Sequence, residues 1–271
     1  MTSTFLKSKP LTVTYRCKSL KIRRGGQESV SDRQERVSGF CQEALSTAKV
    51  FLLGGGGIGS VVGEGLVRKG VGELVILDFD VVEPSNLSRQ FFYAADLNKN
   101  KALCLAKNLS QHGFFDTVIT GYALRFEEAV EQGIDLTGSL AIVGVDNTQG
   151  RIAASAYYHR HNMPVIFTAV DEAANFGYLF VQEPGKACFA CMFSDSLDDK
   201  TSPCPGTPAV KDILTVVGGI VTYAVDTLLM QRRRTWNYKS VYLDGSIPGF
   251  DWQVERREDC KLCQSGQLVT V

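Results

Sequence analysis

Lys49-Val50-Phe51-Leu52-Leu53-Gly54-Gly55-Gly56-Gly57-Ile58-Gly59 is the stretch whose reading sets the architecture. Its first half is a short apolar run bounded by glycine, the pattern of a strand buried on both faces. Its second half satisfies G-x-G-x-x-G through Gly54, Gly56 and Gly59, with Gly57 between them, and helical spacing follows over Ile58–Lys69. Glycine lets the main chain bend sharply and approach an anion. The helix that follows then presents free N–H groups and the positive end of its dipole. A second strand, Leu74–Leu77, ends at Asp78, roughly 20 residues past the last glycine, where a carboxylate can accept hydrogen bonds from ribose hydroxyls. Turn, context and acid point to a bound nucleotide. Alone they do not separate NAD from ATP, and a turn kept only for packing a helix on a strand is the plainer alternative.

Working outward, Thr117–Thr120, Leu140–Val143 and Val165–Thr168 read as further strands, with helices at Phe126–Gln132 and Thr148–His161. Asp96 reads as the N-cap of another helix, running to Leu109. Strands alternating with helices predict an α/β fold, a Rossmann-like, mostly parallel sheet covered on both faces. After Asn175 the pattern changes. Phe176–Val181, Lys239–Leu243 and Phe250–Val254 read as antiparallel strands, with one long helix, Lys211–Met230, between them. Residues 1–30 form a basic, Ser/Thr-rich extension with one alternating stretch, Leu11–Tyr15, that suits an edge strand. Residues 31–271 make up the main domain, with a nucleotide-binding part at about 46–170 and a second part at about 171–271.

Lys+Arg and Asp+Glu are both 29, so the chain carries no net charge and nothing marks a nucleic-acid or membrane partner. Hydrophobic residues make up 44%, enough for a large core. The most apolar run, Ile213–Met230, contains Gly218, Gly219 and Asp226; it reads as a buried helix, and no segment is expected to cross a bilayer. The N-terminus has no apolar leader, so a cytoplasmic location is expected, where thiols stay reduced and eight cysteines read as metal or catalytic groups rather than disulfides.

Asp78-x-Asp80, Ser85-Asn86-Leu87-x-Arg89-Gln90, Lys101 and Val145-Asp146-Asn147 follow the glycine turn in order. This block resembles the ThiF/MoeB superfamily, which includes the ubiquitin-activating enzymes and their bacterial sulfur-carrier-activating relatives, and the likeness runs from about Arg33 to Cys263. It implies an adenylyltransferase that uses ATP and Mg²⁺. A carboxylate attacking a phosphate brings two anions together, so the reaction needs cations. Arg89 and Lys101 would supply them, the first as a fork and the second as a point charge. Gly54, Gly56, Gly57, Gly59, Asp78, Asp80, Asn86 and Gln90 would bind the nucleotide, and the resemblance makes Asp146 the Mg²⁺ ligand. Relatives often carry Gly-x-Pro before the lysine where this chain has Asn98-Lys99-Asn100, which keeps Lys99 as a fallback for Lys101. The resemblance also assigns Arg33 of Arg33-Gln34 to the phosphates of the opposite subunit of a homodimer, in the manner of an arginine finger; a solvated helix charge is the alternative.

Cys188-x-x-Cys191 and Cys260-x-x-Cys263 are two knuckles with the spacing of a closed zinc site of four thiolates, which would be structural and clip the end of the chain to its middle. Cys204, between Pro203 and Pro205, falls where the family has a crossover loop, and is a candidate thioester cysteine; a bystander thiol is the alternative. Cys41 and Cys104 read as packing residues of helices. Arg23-Arg24-Gly25-Gly26 looks like a ubiquitin-like tail, but so short a segment reads as a flexible basic arm.

The function expected from the resemblance is ATP-dependent adenylation of the C-terminal carboxylate of a ubiquitin-like or sulfur-carrier protein ending in Gly-Gly. A conjugating enzyme or a sulfur donor would then act downstream as a separate protein. The alternatives are adenylation of a peptide or small molecule, an NAD-dependent oxidoreductase, and a non-catalytic adaptor. The oxidoreductase leaves Asn86, Arg89, Lys101 and Asp146 unexplained.

Overall fold

The computed structural model describes residues 9–20, 29–193 and 208–264. In chain order it contains β1 (Thr12–Arg16), α1 (Asp32–Glu35), α2 (Gln42–Ser46), β2 (Lys49–Leu53), α3 (Gly57–Lys69), β3 (Glu73–Leu77), α4 (Lys101–Ser110), β4 (Val118–Tyr122) and α5 (Phe126–Glu131). These are followed by β5 (Leu140–Val143), α6 (Thr148–Arg160), β6 (Val165–Val170), β7 (Phe176–Gln182), α7 (Phe189–Met192), α8 (Lys211–Leu229), β8 (Tyr238–Tyr242), β9 (Asp251–Trp252) and α9 (Lys261–Gln264).

All nine strands belong to one sheet, in the order β1-β4-β3-β2-β5-β6-β7-β8-β9. The run from β4 to β6 is parallel. β7, β8 and β9 continue it antiparallel, and β1 adds antiparallel to β4, so part of the N-terminal extension is built into the sheet edge. The expected α/β sheet, parallel and then antiparallel, is the one observed. Its strands alternate side chains between two cores. Val50, Leu52, Leu74 and Ile76 face α3, α4 and α8, while Phe51, Leu53, Val75 and Leu77 face α5, α6 and the cysteine-bearing segments. The chain order reverses between β2 and β5, leaving a crevice at the carboxyl ends of those strands.

Four details differ from expectation. Asp96 does not cap α4. It closes a 3-10 turn, Ala94–Asp96, by accepting from the Tyr93 N–H at 3.0 Å and from Asn108 at 2.8 Å. Asn98 then takes a positive φ of 61°, the chain turns back, and Asn100 caps α4 by accepting the Leu103 N–H at 3.1 Å. Lys101 is therefore the first residue of the helix. β9 is two residues long because the Asn237 side chain takes over from the ladder, accepting the Val254 N–H at 2.6 Å and donating to its carbonyl at 2.9 Å. Cys104 is buried, but Cys41 is exposed at the start of α2. Finally, α8 is long and apolar enough to span a membrane by length and composition, contrary to the expectation from its glycines. Half of that window is buried in the fold, where α8 packs on α3, β6 and β7.

Candidate active site

The crevice opens into a cavity of about 910 Å³, and ten of the expected residues line it: Gly54, Gly56, Gly57, Asp78, Asp80, Asn86, Arg89, Gln90, Lys101 and Asp146. Residues spread over nearly a hundred positions meet there because β2, β3 and β5 end side by side.

The glycine turn is built from close approaches. Gly54 has a φ of 99°, which a side chain would disfavour. A Cβ on Gly59 would fall 2.0 Å from the Gly54 carbonyl oxygen, so no other residue fits there. Gly56 forms the N-cap of α3 without any side-chain cap. The first N–H groups of the helix thus have no acceptor within it, and Gly56, Gly57 and Ile58 present that end to the cavity.

Asp78 ties the turn to the end of β3. Its carboxylate accepts the Gly55 N–H at 2.7 Å and the Asp80 N–H at 2.9 Å. Burial pushes its pKa up to about 6, against the Lys101 charge and the two N–H donors, which pull it down. The raised value means that the folded chain holds the Asp78 proton more tightly than the unfolded one. Its favourable contribution to stability is complete below the usual carboxylate value near 4 and is lost as pH rises through 6. Nucleotide binding would have the opposite dependence if ribose hydroxyls donate to the ionised carboxylate. ATP affinity is expected to be level above pH 7 and about tenfold weaker at pH 5. Asp78→Asn should flatten that step. The difference between the two calorimetric profiles removes the titration of the nucleotide itself, and parallel profiles would exclude Asp78 as the ribose acceptor.

Lys101 lies at the start of α4 with its ammonium 3.0 Å from the Asp80 carboxylate and only 12% of the side chain exposed. Asn100 anchors this corner by donating to the carbonyls of Asp78 at 2.8 Å and Asp80 at 3.1 Å. Lys99 instead donates to the Ala95 carbonyl at 2.7 Å on an exposed turn and does not line the cavity. Arg89 follows the 3-10 turn Pro84–Asn86 and donates to the Ser85 carbonyl. Asn86 is buried, and its amide oxygen accepts the Glu83 N–H at 3.0 Å. That oxygen is therefore committed to the loop. Gln90, whose amide would lie 3.9 Å from a Cβ on Gly56, has a buried carbonyl oxygen with no hydrogen-bond partner among the described residues. An orphaned acceptor beside a phosphate-type turn fits a bound ligand that donates to it.

Asp146 sits just past β5 on the other side of the crevice, exposed, with no hydrogen bond or ion pair to its carboxylate among the described residues. An uncommitted oxygen donor facing the glycine turn fits a hard divalent cation. Asn147 next to it caps α6 by accepting the Gly150 N–H at 2.6 Å.

Arg151 was not singled out from the sequence. Only 9% exposed, it lines the cavity and donates to the Val145 carbonyl, the Tyr178 hydroxyl and the Thr168 carbonyl, each at 3.0 Å. It joins the ends of β5, β6 and β7 and fixes the segment that carries Asp146. Its place one turn into the helix that starts beside Asp146 was the available signal.

Arg33 does not line this cavity and is 79% exposed on α1. Its neighbour Gln34 donates to the Lys69 carbonyl at 3.1 Å, at the far end of α3 from the glycine turn. Cys204 lies outside the described residues.

The sulfurs of Cys188, Cys191, Cys260 and Cys263 lie within 4.8 Å of one another, and none of the four lines the cavity. Three of the separations are 3.5, 3.6 and 3.8 Å. A tetrahedral zinc with Zn–S near 2.3 Å requires sulfurs about 3.8 Å apart, so the group has room for such an ion. Burial pushes the Cys188 thiol far above its usual range, and a central cation is what makes thiolate tolerable at such a place.

A model of the ThiF family matches residues 27–264. Ubiquitin-like modifier-activating enzyme 5 of Drosophila sechellia is 31% identical over 176 residues, covering 59% of this chain and 43% of that protein. Its counterpart in Culex quinquefasciatus is 32% identical over 175 residues, covering 59% and 44%. The chain thus spans less than half the length of these relatives. Among solved structures, E. coli MccB with AMPCPP and MccA superposes with a TM-score of 0.73 at 20% identity, over 88% of this chain and 75% of that one. E. coli MccB with ATP gives 0.66 at 21% identity, over 82% and 68%. At such identities the likeness is one of fold.

Proposed function

Because the chain belongs to the ThiF family, we propose that it is an ATP-dependent adenylating enzyme acting on the C-terminal carboxylate of a ubiquitin-like or sulfur-carrier protein that ends in Gly-Gly. The observation that carries this reading is the meeting of a glycine turn and Asp78 with Arg89, Lys101 and Asp146 around one cavity. A nicotinamide enzyme would use the first pair and has no task for the other three. The relatives named as ubiquitin-like modifier-activating enzymes support the choice of acceptor.

In the proposed reaction a carboxylate oxygen forms a bond to the α-phosphorus, the bond to the β-bridging oxygen breaks, and pyrophosphate leaves. The N–H groups that open α3, with Arg89 and Lys101, hold the phosphates and offset the charge gathering between the two anions. Asp146 would hold Mg²⁺, which when bound supplies further neutralisation of the phosphate oxygens. Arg151 keeps the Asp146 segment in place through the Val145 carbonyl.

Arg33 acts in this scheme from the second subunit of a homodimer. Gln34 is tied to Lys69, and α3 with its 13 residues is about 20 Å long, so Arg33 is held a helix length from its own phosphate site. Zinc occupies the four-cysteine site as a structural ion. Cys204 attacks the acyl-adenylate to form a thioester and release AMP in a conjugation pathway, or stays idle where a separate sulfur donor takes the adenylate.

The test is to mix the protein with Mg·ATP and candidate carriers ending in Gly-Gly and to record intact masses. The expected result is an AMP adduct on one carrier. A thiol-sensitive enzyme–carrier adduct that Cys204→Ala abolishes would assign the conjugation branch, and an adenylate alone the sulfur-carrier branch. ATP binding with no adduct on any carrier would move the acceptor to a peptide or small molecule, and tight NAD binding without ATP binding would sink the proposal.

A further inference from the structure

The sheet order gives the crevice a direction. From β2 the strand ends run to β3 and then β4, so Gly54, Asp78 and the turn after Tyr122 stand in a row. Strands lie about 4.8 Å apart, which puts the end of β4 about 10 Å from the glycine turn. That span is comparable to the reach of a nucleotide from its phosphates to its base. With phosphates at α3 and ribose at Asp78, the base is directed to the β4 side.

There the cavity is walled by Leu77, Phe79, Leu124, Arg125 and Phe126. The Arg125 guanidinium lies over the Phe79 ring, 3.8 Å from its centroid. No carboxylate is within ion-pair distance of Arg125 among the described residues, and Phe79 is 47% exposed. Neither side chain belongs to the buried cores, and both line the crevice just past strand ends. The Arg125 backbone is independently fixed, since its N–H donates to Glu128 at 2.9 Å in the first turn of α5.

We infer that Arg125, packed over the Phe79 ring, is the platform on which the nucleobase stacks, and that this pair makes the site prefer purines. A guanidinium is planar, delocalised and weakly hydrated, so it can stack on an aromatic ring with one face and on a base with the other. Stacking gain follows ring area, which separates purines from pyrimidines without hydrogen bonds to the base edge. The inference rests on the adenylation reading for the presence of a nucleotide in the crevice. It goes further in naming the residues that recognise the base.

Replacement of Arg125 removes no helix cap, because its side chain makes no capping hydrogen bond. Calorimetric titration of the whole chain with Mg·ATP, Mg·CTP and magnesium tripolyphosphate would compare wild type with Arg125→Ala, Arg125→Lys and Phe79→Ala. The expected result is ATP binding weakened about tenfold in Arg125→Ala, tripolyphosphate binding unchanged and CTP little affected. Arg125→Lys, which restores charge but no plane, should not rescue it, and Phe79→Ala should weaken ATP alone. Equal losses for ATP and tripolyphosphate, or rescue by lysine, would make Arg125 a phosphate cation and overturn the inference. Unchanged ATP binding in Arg125→Ala would reduce the pair to a surface contact. Wild type that binds no ATP would instead overturn the adenylation reading beneath it.

Discussion

Asp146→Asn is expected to lower carrier-dependent ATP–pyrophosphate exchange by roughly 10³-fold while leaving the folded state as stable as wild type. The two halves of this expectation come from the same geometry. The Asp146 carboxylate lies exposed at the cavity, past the end of β5, and makes no hydrogen bond or ion pair among the described residues. Its removal therefore leaves no buried partner stranded. Its negative charge contributes nothing to the packing around it. The asparagine keeps shape and loses the charge that would hold Mg²⁺ against the phosphates. Exchange kinetics and thermal melts on the same preparation check both halves. Exchange within threefold of wild type would remove Asp146 from the chemistry, and a lowered Tm would make it a structural residue.

The second large effect concerns the cysteines. Elemental analysis should find zinc at one equivalent per chain, and Cys260→Ser should lose it along with about 5 kcal/mol of stability. For a chain of this size that is a fall in Tm of roughly 10–20 °C. The ion would join α7, which follows β7, to α9, so losing it unties the end of the chain from the second core. Activity per folded molecule should fall much less, because none of the four cysteines lines the cavity. A zinc-free protein whose Cys260→Ser variant melts at the wild-type temperature would refute a structural metal here.

The parallel half of the fold was legible because its strands are apolar runs punctuated by glycine or aspartate, and β2 and β5 each end where a glycine follows, at Gly54 and Gly144. The candidate site was legible for a related reason, since residues just past strand ends converge whatever lies between them. What escaped was tertiary. An arginine one turn into a helix reads as solvated, and Arg151 is buried only because the ends of β5, β6 and β7 supply its three acceptors. Asp96 and Asn100 both suit an N-cap by type. The choice between them is made by the positive φ at Asn98, which local sequence does not announce. β9 fell short of Phe250–Val254 because a side chain, Asn237, stands in for main chain there.

That asparagine also decides how the sheet ends. A long edge strand leaves a row of unused N–H and C=O groups that another chain can pair with, and proteins shorten or cover such edges. Asn237 occupies both main-chain groups of Val254 with its amide, so the last strand stops at Trp252 and the chain departs toward Cys260. One side chain thus closes off a template for aggregation and sends the terminal segment to the place where it is anchored.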